Sequence, residues 1–216
     1  MTIKNGWISF GLGRLGAVYG TYGGTLGAVL PTLPHDHPGG LHAWMRELVP
    51  LGDLAKGEYG MDTLGGPVAA TGHPAALPES FVAFMADPVL RDSVPTCTCC
   101  YWEAGLPAAA SPVREGARLV RFLNDQQGCV FWYLHLLPDG SHEVLAGSEA
   151  YDEYEVAPEQ AAEDLWRVAP DFDEFMARFW IENLAWYEVV GQGRPDDELS
   201  APVRAYVLQL PVDTDQ

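Results

Sequence analysis

The chain has 216 residues, 48% hydrophobic and 11% aromatic, with 30 acidic side chains against 12 basic ones and a formal net charge of -18. That length suits one sizeable core, and the composition is too rich in core-forming side chains for general disorder. A surface so negative repels phosphate backbones and anionic lipid, which disfavours nucleic-acid and membrane-surface roles and favours a basic partner.

The first stretch, "WISFGLGRLGAVYG", places Gly11, Gly13 and Gly16 at the G-x-G-x-x-G spacing of a dinucleotide-binding turn. That turn needs a strand before it, a helix after it and an acidic residue about 20 positions on. The would-be helix contains Gly20, Gly23, Gly24 and Gly27, each costing about 1 kcal/mol against Ala in a helix interior. Asp36 stands at the nominal distance but lies between prolines, not at the end of a second strand. Residues Leu15 to Pro34 carry no charge, yet their Gly, Thr, Tyr and Pro content falls short of an apolar span. Residues 1–40 therefore read as a glycine-rich extension, even a dispensable one, and residues 41–216 as the folded domain.

From Leu41 the pattern sharpens. Leu41, Trp44, Met45, Leu48 and Val49 form a helical stripe stopped by Pro50, and Gly57 to Leu77 reads as a long connection. In "LPESFVAFMADP", Phe81, Phe84 and Met85 share a helical face between Pro78 and Pro88. Four β-type runs follow: "TCTCCYW", "ARLVRFL", "GCVFWYLHL" and "HEVLAGS". The turn formers "NDQQ" and "PDGS" join the last three into an antiparallel meander, whose nearly all-apolar "GCVFWYLHL" is a central strand covered on both faces.

"PDFDEFMARFWIENLAWYEV" predicts the clearest helix, with Asp171 as cap, Glu174 closing a capping box, and Phe172, Phe175, Met176 and Phe179 on the apolar face. Val203, Tyr206, Val207 and Leu210 suggest a further short helix, or a strand, from about Ser200. The expected fold class is α+β: an antiparallel sheet of about four to six strands packed against several helices.

The order "LPESFVAFM", "VRFLNDQQGCVFWYLHLLPDG", an acidic strand or loop, then "FDEFMARFWIEN" resembles the SMI1/KNR4, or SUKH, superfamily over roughly Leu41 to Tyr187. One departure is "DPVLRDSVPTCTCC", which stands where the family commonly has an Asn-Gly pair. The resemblance implies a non-enzymatic protein-binding domain, most often a bacterial immunity protein that neutralises a toxin.

The candidate sites are few. Cys97, Cys99, Cys100 and Cys129 number as many thiols as a structural zinc takes, but without C-x-x-C knuckles. Adjacent Cys99 and Cys100 would point to opposite faces of a strand, and the four lack a secreted disulfide pattern, which suits a reducing cytoplasm. His35 and His37 form an isolated H-x-H, His73, His135 and His142 have no motif around them, and neither G-x-S-x-G nor a P-loop occurs.

No cofactor is expected. No Lys or Arg occurs between Arg121 and Arg167, and within that acidic interval Tyr151, Asp152, Glu153, Tyr154 and Glu155 mix carboxylates with interface-forming tyrosines. These five are the expected contact site for a basic protein, most concretely a toxin domain. The competing reading is an enzyme or ligand-binding protein that uses the Cys97–Cys100/Cys129 cluster or the Gly11–Gly16 turn.

Overall fold

The computed structural model describes residues 3–9, 24–26, 30–48, 62–63, 77–91, 93–103 and 107–210. Its frame is the expected meander of β8 (Arg118–Asn124), β9 (Phe131–Leu136) and β10 (His142–Gly147). Both turns are set by local chemistry. Asp125 Oδ2 accepts the Gln127 and Cys129 N–H groups at 3.0 and 3.2 Å, and Asp139 Oδ1 accepts from Ser141 N at 3.0 Å. Gly128 and Gly140 take the left-handed backbone each turn requires, with φ of +69° and +88°.

The sheet widens on both sides. Its order is β1 (Lys4–Asn5), β11 (Trp166–Ala169), β10, β9, β8 and β6 (Tyr101–Trp102), with β7 (Ala109–Ala110) also paired to β8. The fold class is α+β, and the sheet is mixed: β1 lies parallel to β11, whereas the other pairs are antiparallel. Two-stranded pairs join β2 (Trp7–Ser9) to β3 (Gly24–Leu26) and β4 (Asp62–Thr63) to β5 (Pro95–Thr96).

Helix α5 (Phe172–Trp186) covers one face of the sheet. Asp171 caps it as expected, its carboxylate accepting from Glu174 N at 2.8 Å. The capping box is not closed by Glu174, whose side chain accepts instead from Arg178 one turn along, at 3.3 Å. Phe175 meets Phe122 at 5.4 Å and Phe179 meets Trp132 at 5.9 Å, both edge to face, the geometry aromatic quadrupoles prefer. Phe81 and Phe84 of α2 (Glu79–Ala86) close on Phe172 at 5.0 and 5.4 Å. Met45 of α1 (Gly40–Glu47) and Val203, Tyr206 and Val207 of α6 (Ala201–Val207) complete this core. A π turn over Tyr187–Gly191 follows α5, and within it Glu188 accepts from Ser200 N at the start of α6, at 2.7 Å.

Among the described residues no helix is long and apolar enough to cross a membrane. The run "TCTCCYW" is not one strand: only its two ends pair, and Cys99 adopts φ of 53° in the intervening loop.

The N-terminal residues are built into the core, contrary to the expectation of a dispensable head. Trp7 is 1% exposed, packs on Phe175 at 5.7 Å and donates its indole N–H to the buried Glu182. Arg178, itself buried, donates to the Pro31 carbonyl at 2.8 Å, and Leu33 is buried. Truncating so large a core side chain costs about 3–5 kcal/mol. Trp7→Ala is expected to lose that much in urea unfolding, and deletion of residues 1–38 to lose more. An unchanged midpoint in either variant would show that the segment is only laid against the domain.

Candidate functional site

Strand alternation fixes what the other face of the sheet presents. Arg121 of β8 stands opposite Tyr133 of β9, Leu119 opposite His135, His135 opposite Glu143 of β10, and Tyr133 opposite Leu145. The middle of this face is a second, smaller core: Leu119, Tyr133 and Leu145 under Tyr151 and under Ala161 and Leu165, in and just beyond α4 (Pro158–Asp164). Each end of the face is polar.

At one end, the buried Arg121 guanidinium reaches the Asp152 and Glu153 carboxylates at 2.9 and 2.7 Å and lies 5.0 Å over the Phe131 ring. Tyr133 donates to the Glu149 carbonyl at 2.7 Å, Tyr151 to Asp164 at 2.8 Å and Tyr154 to Glu149 at 2.6 Å. Asp164 also accepts from Ser148 N and Oγ at 2.9 and 2.6 Å. That carboxylate crowds Gly147, where a Cβ would collide with it. Burial pushes the Asp152 carboxyl above its ordinary range against the pull of Arg121, and burial likewise raises the Tyr133 and Tyr151 phenols.

The expected contact residues are thereby divided. Residues 151–155 form a turn rather than an edge strand. Tyr151 is buried and the Asp152 side chain is only 2% exposed, so both are committed to internal bonds, whereas Glu153, Tyr154 and Glu155 face solvent. Beside them runs a groove of ≈ 500 Å³ walled by Tyr101, Phe131, Tyr154, Glu103 and Glu153. The exposed carboxylates continue along α4 through Glu159 and Glu163.

At the other end, His135 is fully buried, its Nδ1 2.9 Å from Glu143 Oε1 and its Nε2 3.0 Å from Ser111 Oγ. Arg167 Nε lies 2.5 Å from the second Glu143 oxygen. The His135 hydrogen bond, aided by Arg167, holds the Glu143 carboxyl below its ordinary range despite burial. An ionised carboxylate only accepts, so it fixes the ring proton on Nδ1 and leaves Nε2 to accept from the Ser111 hydroxyl. A pocket of ≈ 540 Å³ opens here, walled by His135, Glu143, Arg167, Val113, Arg114, Glu115 and Ile3.

No motif in the sequence marks this group. A hairpin centred on "PDGS" sets His135 across from Glu143 once its register is counted, and that signal was available. Ser111 follows β7, a two-residue strand in "PAAASPV" without any alternation to announce it.

The remaining candidates do not assemble. Cys97, Cys99, Cys100 and Cys129 form no disulfide among the described residues, and Cys129 is exposed in the β8–β9 turn. Burial of the Cys97 sulfur pushes its thiol well up, away from the thiolate a metal takes. Among the described residues no three of His, Cys, Asp and Glu converge as metal ligands. His35 and His37 turn to different carboxylates, Glu174 at 3.8 Å and Glu47 at 3.1 Å. The Gly11–Gly16 turn lies outside the described residues. No family model, curated protein or solved structure matches the chain.

Two stability predictions follow from the polar ends. Removing one partner of a buried ion pair costs about 3–5 kcal/mol, so Arg121→Met is expected to lose that much at neutral pH. Its deficit should shrink in acid, where Asp152 protonates; a deficit independent of pH would mean that the aliphatic stem of Arg121 matters and its charge does not.

The sign for Glu143 is opposite. Its folded pKa lies below its unfolded value, so its stabilisation is present above about pH 4.3 and is lost as pH falls through the folded value. Glu143→Gln keeps an acceptor for His135 but loses the Arg167 pair, at a cost of about 1 kcal/mol at pH 7. Urea melts across pH 2 to 7 should show a flatter acid limb for this variant; parallel profiles would dismiss the linkage.

Proposed function

We propose that this chain is a protein-binding domain of SUKH type that neutralises a basic toxin by occupying it, in the manner of a bacterial immunity protein. The observation that carries the reading is the acidic ridge formed by Glu153, Glu155, Glu159 and Glu163, all exposed, with the 51% exposed Tyr154 among them. No Lys or Arg interrupts the chain between Arg121 and Arg167.

Two features of the ridge support binding over mere solubility. The exposed turn stands on a rigid base, because Tyr151, Asp152 and Asp164 tie it to the sheet, so a partner meets carboxylates that need little ordering. An exposed tyrosine among acids supplies apolar area with a polar tip, the combination enriched at interfaces. Neutralisation of this kind is stoichiometric and requires no bond making. Four cysteines without a disulfide among the described residues accord with action in a reducing cytoplasm.

Long-range attraction between such a ridge and a basic partner accelerates encounter by about 10-fold or more at low salt, an advantage that fades as the Debye length shrinks. The test is co-expression with the toxin encoded beside this chain. The wild type is expected to restore growth, and Glu153→Gln, Glu155→Gln, Glu159→Gln and Glu163→Gln combined to slow association about 10-fold and flatten its salt dependence while remaining folded. Asp152 is left intact because it is buried against Arg121. Equal association rates would reduce the ridge to a solvated face, and failure of the wild type to bind would remove the immunity reading for that pair.

A further inference from the structure

We propose that Ser111 is an activated nucleophile and that, with His135 and Glu143, it cleaves small carboxylic esters by acyl transfer. This site is separate from the acidic ridge and does not depend on the binding role. Three side chains from three parts of the chain converge in the order that serine activation requires: hydroxyl to Nε2 at 3.0 Å, Nδ1 to carboxylate at 2.9 Å. A general base within hydrogen-bond reach of the hydroxyl, itself oriented by a third group, is the geometry from which nucleophilic catalysis proceeds. Arg167 forms an ion pair with the far oxygen of Glu143, which opposes rotation of the carboxylate away from the ring.

The surroundings carry the proposal beyond a satisfied core histidine. The half-buried Ser111 hydroxyl is bonded to two residues that wall the ≈ 540 Å³ pocket, the His135 ring and the Val113 N–H at 3.4 Å, so it stands one residue behind that wall. That volume is the scale of a small-molecule site, not of a groove for a polypeptide. Apolar Ile3 and Val113 can receive a short acyl or alkyl group. Exposed Arg114 on the same wall is the cation on hand for an oxygen that becomes negative.

The step balances without any further cofactor. Ser111 Oγ bonds to the ester carbonyl carbon as its proton passes to His135 Nε2, and the carbonyl electron pair moves onto oxygen. When that pair returns, the C–O bond to the alcohol breaks and the alcohol takes the proton from Nε2. Water then attacks the acyl-serine, giving its proton to His135; the acid departs and Ser111 recovers its proton. Ser111 and His135 are the catalytic residues here, while Glu143 and Arg167 are positioning residues.

The probe is a fluorophosphonate, which phosphonylates activated serines with loss of fluoride and leaves ordinary ones untouched. The folded chain is expected to take up one equivalent, located at Ser111 by peptide mass spectrometry, and to take up none in urea. Ser111→Ala, which takes the hydroxyl from the buried His135 ring, should melt somewhat earlier but remain folded, and label not at all. His135→Gln should slow labelling about 100-fold, the share a general base supplies. Glu143→Gln should slow it less and move its pH profile, which a purely structural carboxylate would not do. Hydrolysis of a short p-nitrophenyl ester should be lost in Ser111→Ala, whose binding to the toxin should be unchanged. No labelling of the folded wild type, labelling elsewhere, or equal ester hydrolysis by wild type and Ser111→Ala would each overturn the assignment and leave the binding role standing.

Discussion

Strand β9 is buried on both faces, and the rest of the molecule is a set of solutions to that constraint. Trp132 and Leu134 point to one side, Tyr133 and His135 to the other, and all four are essentially inaccessible. A sheet of this kind needs two covers. Helix α5 supplies the first with a full aromatic face, joined by α1, α2 and α6, and the resulting core extends to Trp7 near the N-terminus. The second cover is slight: the seven-residue α4 and the turn before it.

A slight cover explains why the second face is apolar in the middle and polar at its ends. Seven helical residues span about 10 Å at 1.5 Å per residue, too little to shield every strand. Arg121, His135, Glu143 and Arg167 occupy sheet positions on either side of that shield, the first two buried and the last two half-buried. Their charges are admitted because each is paired: Arg121 with Asp152 and Glu153, Glu143 with His135 and Arg167. Paired groups at the rim of a buried face are costly to desolvate and gain little net stability over apolar replacements. Their presence in place of isoleucine or valine is therefore better accounted for by what they orient, a rigid acidic turn at one end and a serine hydroxyl at the other.

Much of this was legible in the sequence where local signals agree. The cap and period of α5, the two turns of the meander and the two-sided burial of "GCVFWYLHL" each rest on neighbouring residues, and each is present in the fold. What escaped depends on distant partners. β11 is four residues long and gains its strand character by pairing with β10, while β1 gains its own by pairing with β11. Trp7 lies in a glycine-rich context that predicts a loose extension, and only its reach to Phe175 and Glu182 reveals it as core. "YDEYEV" looks like a uniform acidic stripe, yet Arg121, distant in sequence, draws Asp152 inward, pairs with the exposed Glu153 and leaves Glu155 outside. Ser111 was invisible for the same reason: its partner is 24 residues along, across the sheet.

The placement of the ridge also bears on the second core's stability. Glu153, Glu155, Glu159 and Glu163 repel one another on the outside of the same segment whose Tyr151, Ala161 and Leu165 press inward on Leu119, Tyr133 and Leu145. Like charges within a Debye length work against the close packing of that segment, offset at its start by the Arg121 pair with Asp152 and Glu153 and near its end by Lys4, which donates to the Glu163 carbonyl. A basic partner on the ridge would cancel that repulsion, and a ligand that binds only the folded state stabilises it by mass action. Neutralising those carboxylates is therefore expected to tighten the cover of the second core, whatever cation supplies the charge.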